Sequence, residues 1–529
     1  MQFPDLNQLS LAQQVAQMLV VRASSHLGDH QIQYPEFGER DRATLKHWIA
    51  DLGVGGVIFW GGNAGELTLR IQQLQAWAIY PLLIAADIEE GVGQRFAGGT
   101  WFAPPMALNA IAQTDLAKAI EYARQMGAIT ATEALAVGIN WLLAPVVDVN
   151  NNPANPVINI RAFGENPEIV SQLATAYIHG AAAYPVLTCA KHFPGHGDTG
   201  VDSHWALPII PHDRARLDAI EFPPFKAAIT AGVDSVMSAH LLIPALDGEL
   251  PATLSPQILT EELRHNLGFE GLISTDALVM GAIADRYGAD DAPVMAVAAG
   301  SDIILMPVDP EIAIRAVCAA VGSGRISAER IKESVGRIWR SKQQLFQNWD
   351  GVTLTQSPVN RQPAELTTLA APAAMAVAKG MLTDSLIAQG DLPLTPSSGK
   401  NIIVLEEILD PTFLSRSTPA ITIPAKLGYQ LQLINRHSPA IAIDPEDAVI
   451  LQLFIRTSPF SGGLGITSVA KQLVQQLLAN GQLQGLVIYG SPYLMADFAP
   501  LLPSGMPCVF CYGQMAAAQS IALERLFGD

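Results

Sequence analysis

Eight short apolar runs recur through residues 1–347 and alternate with longer amphipathic segments, which limits the folds open to this chain. The runs are Met18–Arg22, Val54–Trp60, Leu82–Glu89, Asn140–Val149, Val186–Phe193, Ser235–His240, Gly271–Leu278 and Ser301–Met306. Between most of them lie helix-length stretches such as Glu66–Trp77, Asp115–Val137, Pro167–Ala183, Ser255–Leu267 and Pro310–Val321. Several runs are solidly apolar rather than alternating, the pattern of parallel strands covered by helices. Eight strand–helix units over this length fit a (β/α)8 TIM-like barrel, and a doubly wound open sheet satisfies the same pattern. Asp87, Glu89, Asp148, Lys191, His192, His240 and Asp276 all fall where a run ends. In a barrel those positions face the mouth, where active sites are built.

Composition narrows the class of partner. Of 529 residues, 49% are hydrophobic and 15% charged, enough apolar surface for a large core and too little charge for disorder. The formal net charge is 31 − 49 = −18. Broad nucleic-acid binding needs clustered Lys and Arg and is not expected, although a local basic pocket is compatible with this balance. No basic segment precedes an apolar run at the N-terminus, and stretches such as Pro81–Ala86 and Ile402–Leu405 fall short of the ~20 residues of a membrane span. A cytoplasmic protein without a membrane partner is expected. Cys508 and Cys511 form a CxxC inside an apolar strand-like stretch and read as buried thiols.

The texture changes after an amphipathic helix over Ile326–Phe346. Asn348–Pro363 lacks periodicity and reads as a linker. Pro363–Lys379 is Ala-rich and helical in character, with Pro372 expected to kink or split it. Gly390–Lys400 is a loop, and from Asn401 a βα rhythm resumes through Ala448–Arg456, Ser468–Ala479, Gly485–Tyr489, Pro507–Tyr512 and Met515–Phe527. The organisation read from this is a barrel over 1–347, a linker and connecting helix over 348–400, and a smaller α/β sandwich domain over 401–529.

The densest polar stretch is Ala190–Pro208, AKHFPGHGDTGVDSHWALP, with three of the chain's 11 histidines (His192, His196, His204). His192 and His196 have HxxxH spacing, but Pro194 and Gly195 between them exclude the helix that metal ligation at that spacing requires. No metal or cofactor is expected. The stretch reads as a ligand-binding and catalytic loop, with a structural hydrogen-bonded loop as the alternative. Asp202 stands two residues before His204, close enough for a carboxylate to orient the imidazole and raise its basicity.

KHFPGHGDTxxDSH resembles the signature of family 3 glycoside hydrolases, in the β-N-acetylhexosaminidase branch. Asp87–Arg95 (DIEEGVGQR) is similar to that family's DQEGGxVQR, and Asn155–Gly164 (NPVINIRAFG) to its NPVIxxRSFG. Val236–His240 and Ser274–Met280 resemble its VMxAH and SDDLxM strands, and Gly490–Tyr493 (GSPY) a GNPY turn of longer members. The resemblance implies a retaining exo-β-N-acetylglucosaminidase acting on β-linked GlcNAc glycans such as peptidoglycan fragments. It makes Asp276 the nucleophile, His204 the general acid/base and Asp202 its orienting partner. It assigns sugar contacts to Asp87, Arg95, Arg161, Lys191 and His192. For Asp87 and Arg95 the competing reading is a structural ion pair; for Arg161 it is a clamp onto a carboxylate such as Glu165. Ile88, Glu90, Ala162 and Thr275 depart from the family pattern. They bear on pocket shape and preference, not on the catalytic groups. A β-glucosidase, a glycoside phosphorylase and an inactive sugar-binding protein are the alternatives. The role of the second domain and the oligomeric state are not legible.

Overall fold

The computed structural model describes residues 5–203, 206–346, 366–407, 413–438, 443–456 and 465–528. Eight parallel strands form the first domain: β1 (Leu19–Arg22), β2 (Gly56–Phe59), β3 (Leu83–Ala86), β4 (Trp141–Leu142), β5 (Cys189–Phe193), β6 (Ser235–Ser238), β7 (Leu272–Thr275) and β8 (Ile304–Leu305). Ladders join β8-β1-β2-β3-β4 and β5-β6-β7. Parallel bridges Trp141–Leu187 and Val146–Lys191 link β4 to β5, and Ser274–Ile303 links β7 to β8. The ring is therefore closed, and the barrel prevails over the open sheet.

The strands are buried on every face, as solid apolar runs require: all four positions of β1, β2, β3, β6 and β7 are covered. The crossover helices start on polar caps. Asp115 accepts from Lys118 N–H before Leu116–Val137, Asn166 caps Pro167–Ala181, and Asp309 caps Pro310–Gly322. A final helix, α1 (Ala328–Leu345), is capped by Ser327 and closes the N-terminal end of the barrel.

The second domain is a six-stranded sheet. In chain order its strands are β9 (Ile387–Gln389), β10 (Gly399–Leu405), β11 (Tyr429–Ile434), β12 (Ala448–Ile455), β13 (Leu483–Gly490) and β14 (Cys508–Cys511). The spatial order is β9-β14-β13-β12-β10-β11, parallel except for β9 on β14. Helices Pro419–Lys426, Gly465–Ala479, Pro492–Phe498 and Ala516–Phe527 pack against it. Cys508 and Cys511 are buried in β14, where burial pushes both thiols up to about 12.

The expected linker Asn348–Pro363 lies outside the described residues. The Ala-rich segment after it differs from expectation. Pro372 does not kink a helix but opens one, α2 (Pro372–Asp384), at the first helical position, where its missing N–H costs nothing. By length and composition alone Leu366–Asp384, with mean hydropathy 1.2, is apolar enough to cross a membrane. Its α-helical part has 13 residues, about 20 Å at 1.5 Å per residue against a ~30 Å hydrocarbon layer. It packs instead between Met106–Ala112, Leu116–Val137 and Ala516–Phe527, joining the two domains. Asp384 at its end bonds Lys118 Nζ (2.6 Å) and Tyr122 OH (2.8 Å).

Candidate active site

A cavity of about 380 Å³ opens at the C-terminal ends of the barrel strands. Asp87, one residue past β3, Lys191 and His192 in β5, and Asp276, one residue past β7, all line it. Arg95 and Arg161 line it from loops, and Phe413, Arg456 and Gln514 reach it from the second domain. The side chains assigned to sugar contact thus converge on one space.

Four of the charges form a closed network. Lys191 Nζ, 1% exposed, donates to Asp87 Oδ1 (2.6 Å) and pairs with Glu89 Oε1 (2.7 Å). Arg161 grips Glu89 with two parallel bonds, Nε to Oε2 at 2.9 Å and Nη2 to Oε1 at 2.8 Å. Burial would raise the Glu89 carboxyl, but Arg161 and Lys191 outweigh it and hold the group well below the usual carboxylate range. Burial likewise pulls the Lys191 ammonium down, and Asp87 and Glu89 carry it above its ordinary value. Asp87 is the member left open, its side chain 31% exposed against 3% for Glu89. It can accept a ligand hydroxyl, while Glu89 fixes the two cations that donate to one.

Both competing readings of these residues change. Arg161 clamps Glu89, not Glu165, whose Oε1 takes the Tyr493 hydroxyl at 2.5 Å. Arg95 bonds the backbone carbonyl of Asp87 through Nε (3.1 Å), and its guanidinium stands 5.4 Å from the Trp60 ring centroid. Glu89 stands among the strand-end residues that face the mouth but had no assigned role; a further signal was three acidic residues within Asp87–Glu90, which need cations to be buried.

Asp148 anchors the loop after β5. Its carboxylate accepts His192 N–H (3.1 Å to either oxygen), His192 Nδ1 (2.8 Å) and His196 N–H (2.7 Å). Burial raises this carboxyl, but His192 and His196 outweigh it and the net shift is downward. With Nδ1–H donating to Asp148, the hydrogen bonds assign Nε2 as the ring nitrogen of His192 left for a ligand. Burial and the neighbouring His192 lower His196 to about 4, so it is neutral at pH 7. Its ring spans Thr199 Oγ1 (2.9 Å) and Ser203 Oγ (3.0 Å), and Asn155 Nδ2 donates to the carbonyls of His196 and Gly197 at 2.9 Å each. A Cβ at Gly197 would lie 1.8 Å from the Val149 carbonyl oxygen, so only glycine fits there. Asp202 follows this scaffold, its carbonyl accepting Ala206 N–H at 3.1 Å; Ser203 lines the cavity. His204 lies outside the described residues. Among the described residues no three His, Cys, Asp or Glu side chains form a metal-holding group.

Asp276 is held from both sides of its peptide. Its N–H donates to Ser238 O (3.1 Å), and its Oδ1 accepts Ala277 N–H (2.7 Å). The Ala277 carbonyl is bonded by His240 Nε2 (3.0 Å), whose Nδ1 meets Thr253 Oγ1 (2.8 Å). A carboxylate fixed in this way on the wall of a polar cavity is suited to attack an electrophilic carbon.

Residues 10–341 match the Glycosyl hydrolase family 3 N terminal domain and residues 394–528 the Bacterial Glycosyl hydrolase family 3 C-terminal domain. The chain belongs to glycosyl hydrolase family 3. Within that family it is 36% identical over 350 residues to "Beta-hexosaminidase A" of Pseudoalteromonas piscicida, covering 59% of this chain and 57% of that protein. It is 32% identical over 315 residues to "Beta-N-acetylglucosaminidase/beta-glucosidase" of Cellulomonas fimi, covering 58% and 55%. The chain therefore spans little more than half the length of these two relatives. A solved family 3 beta-N-acetylglucosaminidase from Paenibacillus sp. str. FPU-7 superposes with a TM-score of 0.76 at 30% identity, over 98% of this chain and 97% of that one. Its near-complete coverage extends the likeness across both domains.

Proposed function

We infer that this family 3 chain is a retaining exo-β-N-acetylglucosaminidase. The observation that carries the reading is Asp276, fixed on the wall of the cavity that also holds the Asp87–Lys191–Glu89–Arg161 network. Neutral sugar hydroxyls need convergent donors and acceptors to replace their water, and that network supplies them. Asp276 attacks the anomeric carbon through an oxocarbenium-like transition state while the imidazolium of His204 gives its proton to the departing oxygen. Water then attacks the glycosyl ester, His204 takes its proton, and Asp276 leaves as carboxylate. Asp202 keeps the imidazole basic enough for both halves. We extend the reading to peptidoglycan-derived fragments in a reducing cytoplasm; the unpaired buried thiols Cys189, Cys508 and Cys511 support the compartment.

The test is a panel of aryl β-glycosides. Wild type should release the aryl group from the β-GlcNAc member, and Asp276→Ala should lower kcat by about 10⁴-fold or more, as nucleophile loss does elsewhere. Retained activity in Asp276→Ala defeats the assignment. The Cellulomonas fimi relative, named for both a β-N-acetylglucosaminidase and a β-glucosidase, makes β-glucoside hydrolysis the second reading. Faster turnover of the β-glucoside than of the β-GlcNAc member would favour it.

A further inference from the structure

Two contacts tie the second domain to the barrel beside the cavity, and they converge on one ion pair. The first is at Glu90, which is wholly buried. Its carboxylate takes Trp101 Nε1 at 2.9 Å, but among the described residues no cation of the barrel forms an ion pair with it. The cation comes from Arg456, just beyond β12, which pairs with both carboxylate oxygens; Nη1 to Oε2 is 3.2 Å. Glu90 is the residue after Glu89, so this pair pins the chain that presents Glu89 to Arg161 and Lys191.

The second contact is the Gly490–Tyr493 turn. Ser491 Oγ donates to Asn159 Oδ1 at 2.9 Å. Asn159 sits at φ 45°, a left-handed conformation uncommon for a residue with a side chain, two positions before Arg161. Tyr493 donates its hydroxyl to Glu165 and accepts Asn150 Nδ2 at 2.9 Å. Asn150 Oδ1 in turn accepts Asn159 N–H at 2.8 Å. The turn thus holds the loop that aims Arg161 from both of its ends.

We propose that the second domain is a two-point clasp that positions the Glu89–Arg161 pair, with Arg456, Ser491 and Tyr493 as positioning residues for sugar binding. Arg456 holds the Glu89 side and the Ser491–Tyr493 turn holds the Arg161 side. This rests on the sugar-binding reading of the cavity, but the clasp itself is a statement about two loops. It explains how a domain that supplies none of the proposed acid, base or nucleophile bears on activity. It also gives the departure at Glu90 a purpose, because a carboxylate there gains its ion pair with Arg456 only when the second domain is docked.

The test uses the full chain with Arg456→Met, Arg456→Lys, Ser491→Ala and Tyr493→Phe, and reads two quantities. Amide hydrogen exchange over residues 155–163 is independent of any substrate; it should quicken about tenfold or more in Arg456→Met and in Ser491→Ala, as losing one to two hydrogen bonds from a loop allows. On aryl β-GlcNAc, KM should rise about tenfold in Arg456→Met with kcat within a few-fold, because ground-state and transition-state sugar contacts weaken together. Arg456→Lys should recover most of that KM, and in an Arg161→Lys background Arg456→Met should add little. Unchanged exchange over 155–163 overturns the clasp, as does a lowered melting temperature with wild-type KM, which would make the contacts mere glue. If wild type leaves aryl β-GlcNAc intact while the exchange responds, the substrate reading fails and the clasp survives.

Discussion

The barrel buries charge at both of its ends, and the two clusters are built differently. At the mouth, two carboxylates meet two cations, and Asp87 keeps part of its surface open to the cavity. At the opposite end Asp302, 0% exposed, gathers Arg264 (2.8 Å), Arg330 (3.3 Å), Arg337 (3.2 Å) and the Ser334 hydroxyl (2.7 Å). It also accepts Ile273 N–H at 3.1 Å. That carboxylate spends every lone pair on the protein. The same chemistry, charge compensated in low dielectric, leaves a valence for a ligand at one end and none at the other. Buried charge alone therefore does not mark a site; an unspent acceptor facing a cavity does.

The sharpest way to break this contrast is to remove one carboxylate from each cluster. Asp302→Ala leaves three guanidinium groups around an empty centre and should cost about 3–5 kcal/mol of stability. Urea unfolding would read it, and a loss under 1 kcal/mol would mean the cluster is replaceable. Asp87→Ala should do the reverse. Lys191 keeps Glu89, so the melting point should move little, while kcat/KM should fall about a hundredfold as a sugar hydroxyl loses its acceptor. If Asp87→Ala destabilises as much as Asp302→Ala and spares kcat/KM, the two ends do not differ in kind.

A gentler probe is acid. His196 sits beside the mouth cluster, neutral, with its pKa lowered to about 4 by burial and by His192. The unfolded chain takes up that proton near pH 6.5, so this histidine's cost begins as pH falls below 6.5 and is complete below 4. Over that window it should remove about 3 kcal/mol of stability. His196→Gln keeps hydrogen-bonding groups for Thr199 and Ser203 without a titrating ring. The difference in unfolding free energy between wild type and this variant should change by about that amount from pH 6.5 to pH 4; a constant difference would refute the assignment. Glu89, held well below its ordinary value of 4.5, contributes stability that is fully present above pH 4.5 and is lost progressively as pH falls below it.

What could be read from the chain follows the same logic of local against distant information. The eight barrel strands were legible because each lies in a short, mainly apolar run between longer segments, and every one appears within its expected span. Their lengths were not, since closure needs only a few paired residues: of Asn140–Val149, Trp141–Leu142 lies in the ladder and Val146 bridges Lys191. In the second domain β11, YQLQLI, was missed because an edge strand with half-solvated glutamines imitates neither a buried run nor a helix. Residue type is not the obstacle at the mouth. Asp87, Lys191, Arg161 and Asp276 stand out as polar residues at strand and loop ends, yet their partners do not. Glu89 meets Arg161 across 72 positions and Glu90 meets Arg456 across 366. A sequence displays which charges exist; only the fold decides which of them are compensated.

The smallest effect tests the closed end from within. Lys342, on the same helix α1 as Arg330 and Arg337, is 0% exposed, donates to Gln17 Oε1 at 2.8 Å, and has no carboxylate partner among the described residues. Burial alone lowers its pKa to about 7. For a lysine shifted down, the unfolded state binds the proton more tightly than the folded state at every pH between 7 and about 10.5, so stability from this group rises with pH across that range. Lys342→Met removes the titration and fills the space with an apolar chain of similar length. The variant should be the more stable form at pH 7, and its advantage should shrink by about 2–3 kcal/mol at pH 9. Thermal unfolding at the two pH values reads the change. An advantage that stays constant would show that Lys342 remains charged in the folded protein, and the closed end would then contain a fourth cation that Asp302 does not balance.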